Sequence, residues 1–343
     1  MKKRIHWIDV VKGIAIILVV TLHVVSTYHE SGLYRDNVFF NFSNTMVYSF
    51  IMPLFMMISG YVLSKGKRRG TKGQQVVQKL INYGIPYVVF SLVWVLAKMS
   101  MAGHTNNPLT LKDLLWIPII PTGFMWFLYA LMIMQIIQVF ITTDSKVFKA
   151  IHLLAALAGY LTLPYLNKAF AGTRYADCIL IDFLKTYLFF LIGVYLLDFV
   201  LQALERYHIA AFAISGVLMV TGNILIYNGV MDLAGFAAIF LGLIGSLFMI
   251  ELGMLIDHSA FFEYLGRQTL PIYVLHGIAV AGARMLLTRL HLNILYGVVP
   301  YVVCTAAGII FPLCVYWIST KIWKLDAIFY PGKYLKVCKK SNG

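Results

Sequence analysis

The stretch Asp9-Val-Val-Lys-Gly-Ile-Ala-Ile-Ile-Leu-Val-Val-Thr-Leu-His23 decides how this chain is read. It lies in an apolar run, 8–28, long enough to cross a bilayer, which takes about 20 residues of helix. Yet it carries three ionisable side chains, and each would cost at least ~2.5 kcal/mol at the centre of a span. A helix turning 100° per residue brings Lys12 and His23 back to within about 20° of one another, roughly 16 Å apart along the axis. Asp9 sits one turn below Lys12, close to the same stripe. The basic start Met1-Lys-Lys-Arg4 imitates a secretory leader. Asp9 and Lys12 interrupt the run, however, and no small-residue cleavage site follows, so it reads as a retained first span.

The rest of the chain has the same character. Of 343 residues, 60% are hydrophobic and 12% charged, against roughly 25% charged in soluble domains. Aromatics reach 15%, which suits a lipid-facing exterior with rings at its interfaces. Further apolar runs lie at 44–63, 76–101, 122–141, 148–166, 177–199, 209–228, 233–256, 269–290 and 295–323. The expected fold is all-α: a polytopic integral membrane bundle of about 10 transmembrane helices, forming a single transmembrane domain over 1–343. Between the runs, 109–120 is expected to form a short interfacial helix, ended by Pro118 and Pro121.

The net charge of +14 suggests nucleic acid, but no basic soluble segment is long enough to build a groove. The lipid bilayer explains the charge better. One alternating set of loops and span ends, including 65–72 and a basic tail at about 324–343, holds nineteen Lys and Arg; the opposite set holds six. That asymmetry places the first set, and both termini, in the cytoplasm. Cys178, Cys304, Cys314 and Cys338 form no CxxC pair and none lies near a His at zinc spacing, so neither a metal nor a disulfide is expected.

Polar residues in other spans are candidates to face a shared cavity. His23, past mid-span with no snorkelling route, would suit proton transfer. Asp9 and Lys12 read either as part of that site or as an interfacial ion pair. The ninth run carries Tyr273 and His276, three apart on one face, and Arg284. Asp182 and Lys185, also three apart, read as a structural ion pair or as site residues. Glu251, deep in the eighth run, has no evident partner in the sequence. Gly60 beside Ser59, and Gly235, Gly242 and Gly245, read as packing positions.

The stretch Asp9–His23 resembles the opening signature of the membrane-bound acyltransferase family 3: a basic residue, usually Arg, ten intervening residues, then His. Lys12 takes the place of the commoner Arg, as in the fucose 4-O-acetylase-like branch. Three blocks similar to the family's follow in order: Pro53-Leu-Phe-Met-Met-Ile-Ser-Gly-Tyr61, Met125-Trp-Phe-Leu128, and Leu265-Gly-Arg-Gln-Thr-Leu-Pro-Ile-Tyr-Val-Leu-His276, with Thr269 in place of Ser. The chain looks nearest the enterobacterial-common-antigen O-acetyltransferase type. The resemblance implies O-acyl transfer, most often of acetyl, in a bacterial cytoplasmic membrane. The donor would be cytoplasmic acetyl-CoA or another acyl-CoA, with no cofactor permanently bound. The acceptor would be a hydroxyl of a cell-surface polysaccharide or its lipid-linked precursor. His23 would be catalytic base or transient acyl carrier, Lys12 would bind the CoA side, and Asp9 would orient Lys12. Ser59, Trp126, Asp182, Lys185, Tyr273, His276 and Arg284 would help bind donor or acceptor. Two other readings stand beside it: a transporter of a polysaccharide or lipid-linked sugar, and an interaction protein with no catalytic role. No inverted repeat or paired broken helices support the transporter. Oligomeric state stays open.

Overall fold

The structure, a computed structural model, describes residues 5–30, 32, 37–100, 109–141, 143–292 and 298–337. Among the described residues there is no strand. The helices are α1 (His6–Glu30), α2 (Val38–Ser64), α3 (Lys72–Lys79), α4 (Ile85–Ser100), α5 (Trp126–Phe140), α6 (Lys146–Leu161) and α7 (Leu163–Phe170). They continue with α8 (Ile179–Tyr195), α9 (Leu197–Leu204), α10 (His208–Tyr227), α11 (Gly235–Ile256), α12 (Ala260–Arg267), α13 (Thr269–Arg289) and α14 (Val298–Lys321). Among the described residues ten helical segments are long and apolar enough to cross a membrane, one for each run in the sequence. The segments at 109–120 and 76–101 differ from continuous α-helix. The first is a 3₁₀ turn, Leu111–Trp116, started by Asp113 accepting from the Thr110 backbone N–H at 2.8 Å. In the second, a π-turn, Leu80–Gly84, joins α3 to α4, with the Ile85 N–H reaching the Leu80 carbonyl. Pro86 follows directly; it has no N–H to offer and crowds the carbonyl four residues back, and the wider turn relieves that clash.

The chain divides into two compact units: residues 1–55 with 199–318, and 56–198 with 319–343. In the first, α1 packs against α11, α12 and α13. Contact with α12 is closest. A Cβ on Gly13 would run into the Phe262 carbonyl, and a Cβ on Gly266 into the Asp9 carbonyl. The two pairs share one antiparallel register, rising on α1 as they fall on α12. Glycines at such points let backbones meet with nothing between them. On the other side, a Cβ on Gly253 of α11 would strike Val11.

The second unit repeats the device: a Cβ on Gly60 would meet the Phe190 carbonyl, and one on Gly193 the Met57 carbonyl, so α2 and α8 touch backbone to backbone. Gly60 is therefore a packing residue, as expected. Gly245 is another, against Phe50 in the first unit. Gly235 is not: it opens α11 at φ 51°, and a Cβ there would meet nothing within 4 Å. Its role is conformational, since that backbone region disfavours other residues. The basic tail is folded as far as it is described. Phe329 is fully buried, its ring 4.9 Å from that of Phe90, and Gln78 holds the Leu335 carbonyl and the Val337 N–H. Asp326 accepts from Lys333 at 2.8 Å and Tyr334 at 2.6 Å. Those bonds, Lys333 first, hold its carboxyl below the usual range and raise the Lys333 ammonium.

Candidate active site

The stripe foreseen on α1 is present, and it lies in the first unit. Lys12 Nζ is 3.3 Å from Asp9 Oδ1; the carboxylate is buried and the lysine is part-exposed. Both sit where α12 crowds α1, next to Gly13 and under Gly266. Further along, the ring of half-buried His23 meets that of His276 on α13, with centroids 4.9 Å apart and planes tilted by 51°. His276 is fully buried.

The backbone sets the tautomer of His276. Its Nδ1 lies 2.6 Å from the Tyr273 carbonyl oxygen and 3.2 Å from that of Ile272. A carbonyl only accepts, so Nδ1 carries the proton, and Nε2 of the neutral ring holds the lone pair. The arrangement is local to the turn 272–276 and fixes ring orientation along with protonation. Tyr273 is itself buried, its ring centroid 6.2 Å from that of His276. Arg284 lies two turns further along α13, half-buried, and acts electrostatically on Cys304, which pairs with the Tyr28 hydroxyl at 3.6 Å.

Four other expected site residues belong to the second unit. Ser59 is half-buried on α2, beside the Gly60 contact. Trp126 opens α5, its ring 6.0 Å from that of Phe127. On α8, Asp182 is half-buried and Lys185 exposed, and Asp182 feels the charges of both Lys185 and Asp177. The structure thus gathers Asp9, Lys12, His23, Tyr273, His276 and Arg284 within one unit, with two tight groupings: Asp9 with Lys12, and His23 with His276 and Tyr273.

Glu251 does have a partner. Fully buried on α11, it accepts from His208 Nδ1 at 2.6 Å, from the first residue of α10. The sequence hid this because the partners lie on different spans and His208 falls at a run's edge. Two further polar knots in the second unit were also missed. His152 Nδ1 lies 3.0 Å from the Tyr195 hydroxyl and its Nε2 2.9 Å from that of Tyr187. Lys79 donates to Gln135, whose amide donates to Tyr83 of the π-turn at 2.6 Å. Outside the spans, Lys65 donates to Asp198, a bond that raises its ammonium. Among the described residues, His6, His258 and Glu263 bring metal-ligating atoms together, apart from the histidine pair.

A family model described as an acyltransferase domain, that of acyltransferase family 3, matches residues 5–317. No curated protein and no solved structure matches the chain.

Proposed function

This chain belongs to the acyltransferase 3 family, and on that premise we propose that it is an O-acyltransferase with the His23–His276 pair at its centre. The reading adds a donor, cytoplasmic acetyl-CoA or another acyl-CoA. It also adds an acceptor, a hydroxyl of a cell-surface polysaccharide or its lipid-linked precursor, met in a bacterial cytoplasmic membrane with both termini inside. The observation that carries it is the contact of two imidazoles across two spans, 4.9 Å between centroids. A buried lone histidine reads as a packing residue; two in contact, one with its tautomer fixed by a backbone carbonyl, can pass a proton.

In this reading His23 takes the proton of the acceptor hydroxyl as its oxygen attacks the acyl carbon. The carbon–sulfur bond of the thioester breaks, and CoA leaves as thiolate and collects a proton. His276, with Nδ1–H committed to Tyr273, offers Nε2 as the next acceptor. Lys12 meets the anionic donor from the other end of the stripe, held by Asp9 at 3.3 Å. Its compact ammonium suits a CoA phosphate as a point charge rather than a bidentate fork. The axial offset of about 16 Å between Lys12 and His23 is then the distance over which CoA hands its acyl group inward.

The test is release of free CoA from acetyl-CoA by purified protein in nanodiscs, with and without a lipid-linked glycan extract, in wild type and His23→Ala. Turnover in wild type that His23→Ala abolishes supports the proposal. Failure of acetyl-CoA either to bind or to react would overturn it and leave sugar transport, read as glycan flux in vesicles, as the better account.

A further inference from the structure

His6 lies some 250 residues before His258 and Glu263, which are five apart, and the three fall on three elements: the first residue of α1, the turn between α11 and α12, and α12 itself. One ligand atom from each falls within 4.8 Å of the others. His6 Nδ1 already stands 2.9 Å from Glu263 Oε1. The His6 and His258 rings lie against one another, centroids 4.4 Å apart and tilted by 47°. A second carboxylate is at hand: Asp257 Oδ2 is 3.3 Å from His258 Nε2. Glu263 Oε2 faces Arg267 at 3.4 Å, which leaves Oε1 turned to the histidines.

We infer that His6, His258 and Glu263 form a binding site for a borderline-soft divalent cation, Zn²⁺ in the first instance. Two imidazoles and a carboxylate are a donor set that zinc favours, with water completing four-coordination. Bonds of about 2.0–2.2 Å require ligand atoms roughly 3.3 Å apart in a tetrahedron. The His6–Glu263 separation is near that, and the rest close up by about 1 Å or less at each atom. The bound ion takes the place of the proton that His6 now shares with Glu263. Hydrogen bonding explains the His6–Glu263 contact by itself, but it gives no reason for His258 to bring a second imidazole against the first.

The location gives the site a use. It ties the start of α1 to α12, the helix whose Phe262 and Gly266 press against Gly13 and Asp9. A metal there fixes the spacing of the two helices one turn from the Asp9–Lys12 pair. The inference does not depend on the acyl-transfer reading, because its readouts are metal content and melting temperature.

The experiment uses full-length protein without a polyhistidine tag, stripped with EDTA in detergent, exposed to ZnCl₂ and desalted before elemental analysis. Asn tolerates the left-handed backbone that His258 adopts at φ 58°, so His258→Asn is the first variant, and near-isosteric Glu263→Gln is the second. Wild type is expected to retain about one zinc per chain, and each variant to bind at least about tenfold more weakly. Zinc should raise the melting temperature of wild type but not of His258→Asn, and Co²⁺ should give the visible bands of a tetrahedral site. No zinc retained by wild type, or equal retention by both variants, overturns the inference.

Discussion

Replacing Gly13 by Ala tests the contact on which the candidate site rests. A Cβ there would stand 2.8 Å from the Phe262 carbonyl carbon and 3.0 Å from its Cα. Carbon atoms pack at about 3.5–4.0 Å, so α12 has to retreat by roughly 0.7 Å or more. Overpacking of that kind costs typically about 1–3 kcal/mol, partly offset by the roughly 0.5–1 kcal/mol that Ala gains over Gly inside a helix. The net expectation is a loss of about 1–2 kcal/mol. Gly282, on α13, is the matched control: a Cβ there meets nothing within 4 Å, so Gly282→Ala should show the propensity gain alone, with the opposite sign. Thermal unfolding in one detergent, followed by intrinsic fluorescence, reads both variants without reference to activity. Acetyl-CoA turnover then adds a second readout, because Lys12 and Asp9 sit on the displaced turn and a misplacement of about 1 Å can cost 10²-fold. If Gly13→Ala melts at or above wild type, as Gly282→Ala should, the helices are not in backbone contact and the reasoning fails.

Three other outcomes are expected. His276→Ala should lower CoA release by about 10²–10⁴-fold, and Tyr273→Phe should retain more activity because it keeps the carbonyl that holds His276 Nδ1; the reverse order in a turnover assay would contradict the tautomer argument. His208→Ala should destabilise by about 1–3 kcal/mol, less than the 3–5 of a fully buried pair because His208 is part-exposed; adding Glu251→Leu should recover most of it in thermal unfolding, and additive losses would count against the pair. For the tail, the Asp326 carboxyl is lowered in the fold, so its contribution is present above the ordinary value near 3.8 and fades as pH falls through the lower folded value. Amide protection over 325–337 should therefore be flat from pH 5 to 8, drop in stronger acid, and be weak at every pH in Asp326→Asn.

The ten spans were legible because a membrane helix is a local object: length and hydropathy are written in consecutive residues. The one-faced stripe Asp9, Lys12, His23 was legible for the same reason, through helical period alone. What the sequence could not supply was pairing between spans. Glu251 looked solitary because its partner His208 lies at the edge of another run, where a histidine reads as interfacial. His6, His258 and Glu263 were passed over because no zinc spacing links them. Local backbone detail was lost in a different way. Gly235 resembled a packing glycine on composition, whereas only the backbone angle reveals that it starts a helix, and the π-turn before Pro86 looks like continuous helix to any hydropathy reading.

The glycines nonetheless carried a pairing signal that can be read in retrospect. Gly13 and Gly266 each press on a backbone carbonyl of the other helix, and the partners, Asp9 and Phe262, each lie four residues before the glycine of their own helix. Gly60 and Gly193 press on Phe190 and Met57 in the same crossed way, at a spacing of three residues. A glycine four residues from a site residue, matched by another on a distant helix, is what an antiparallel backbone contact requires, because only one helix face can approach that closely and it recurs about every four residues. Where such a face also carries Asp9, with Lys12 beside Gly13, the close approach does more than pack. It takes one wall of the polar pair out of lipid, and so lets a buried carboxylate persist in a span where it would otherwise be expelled.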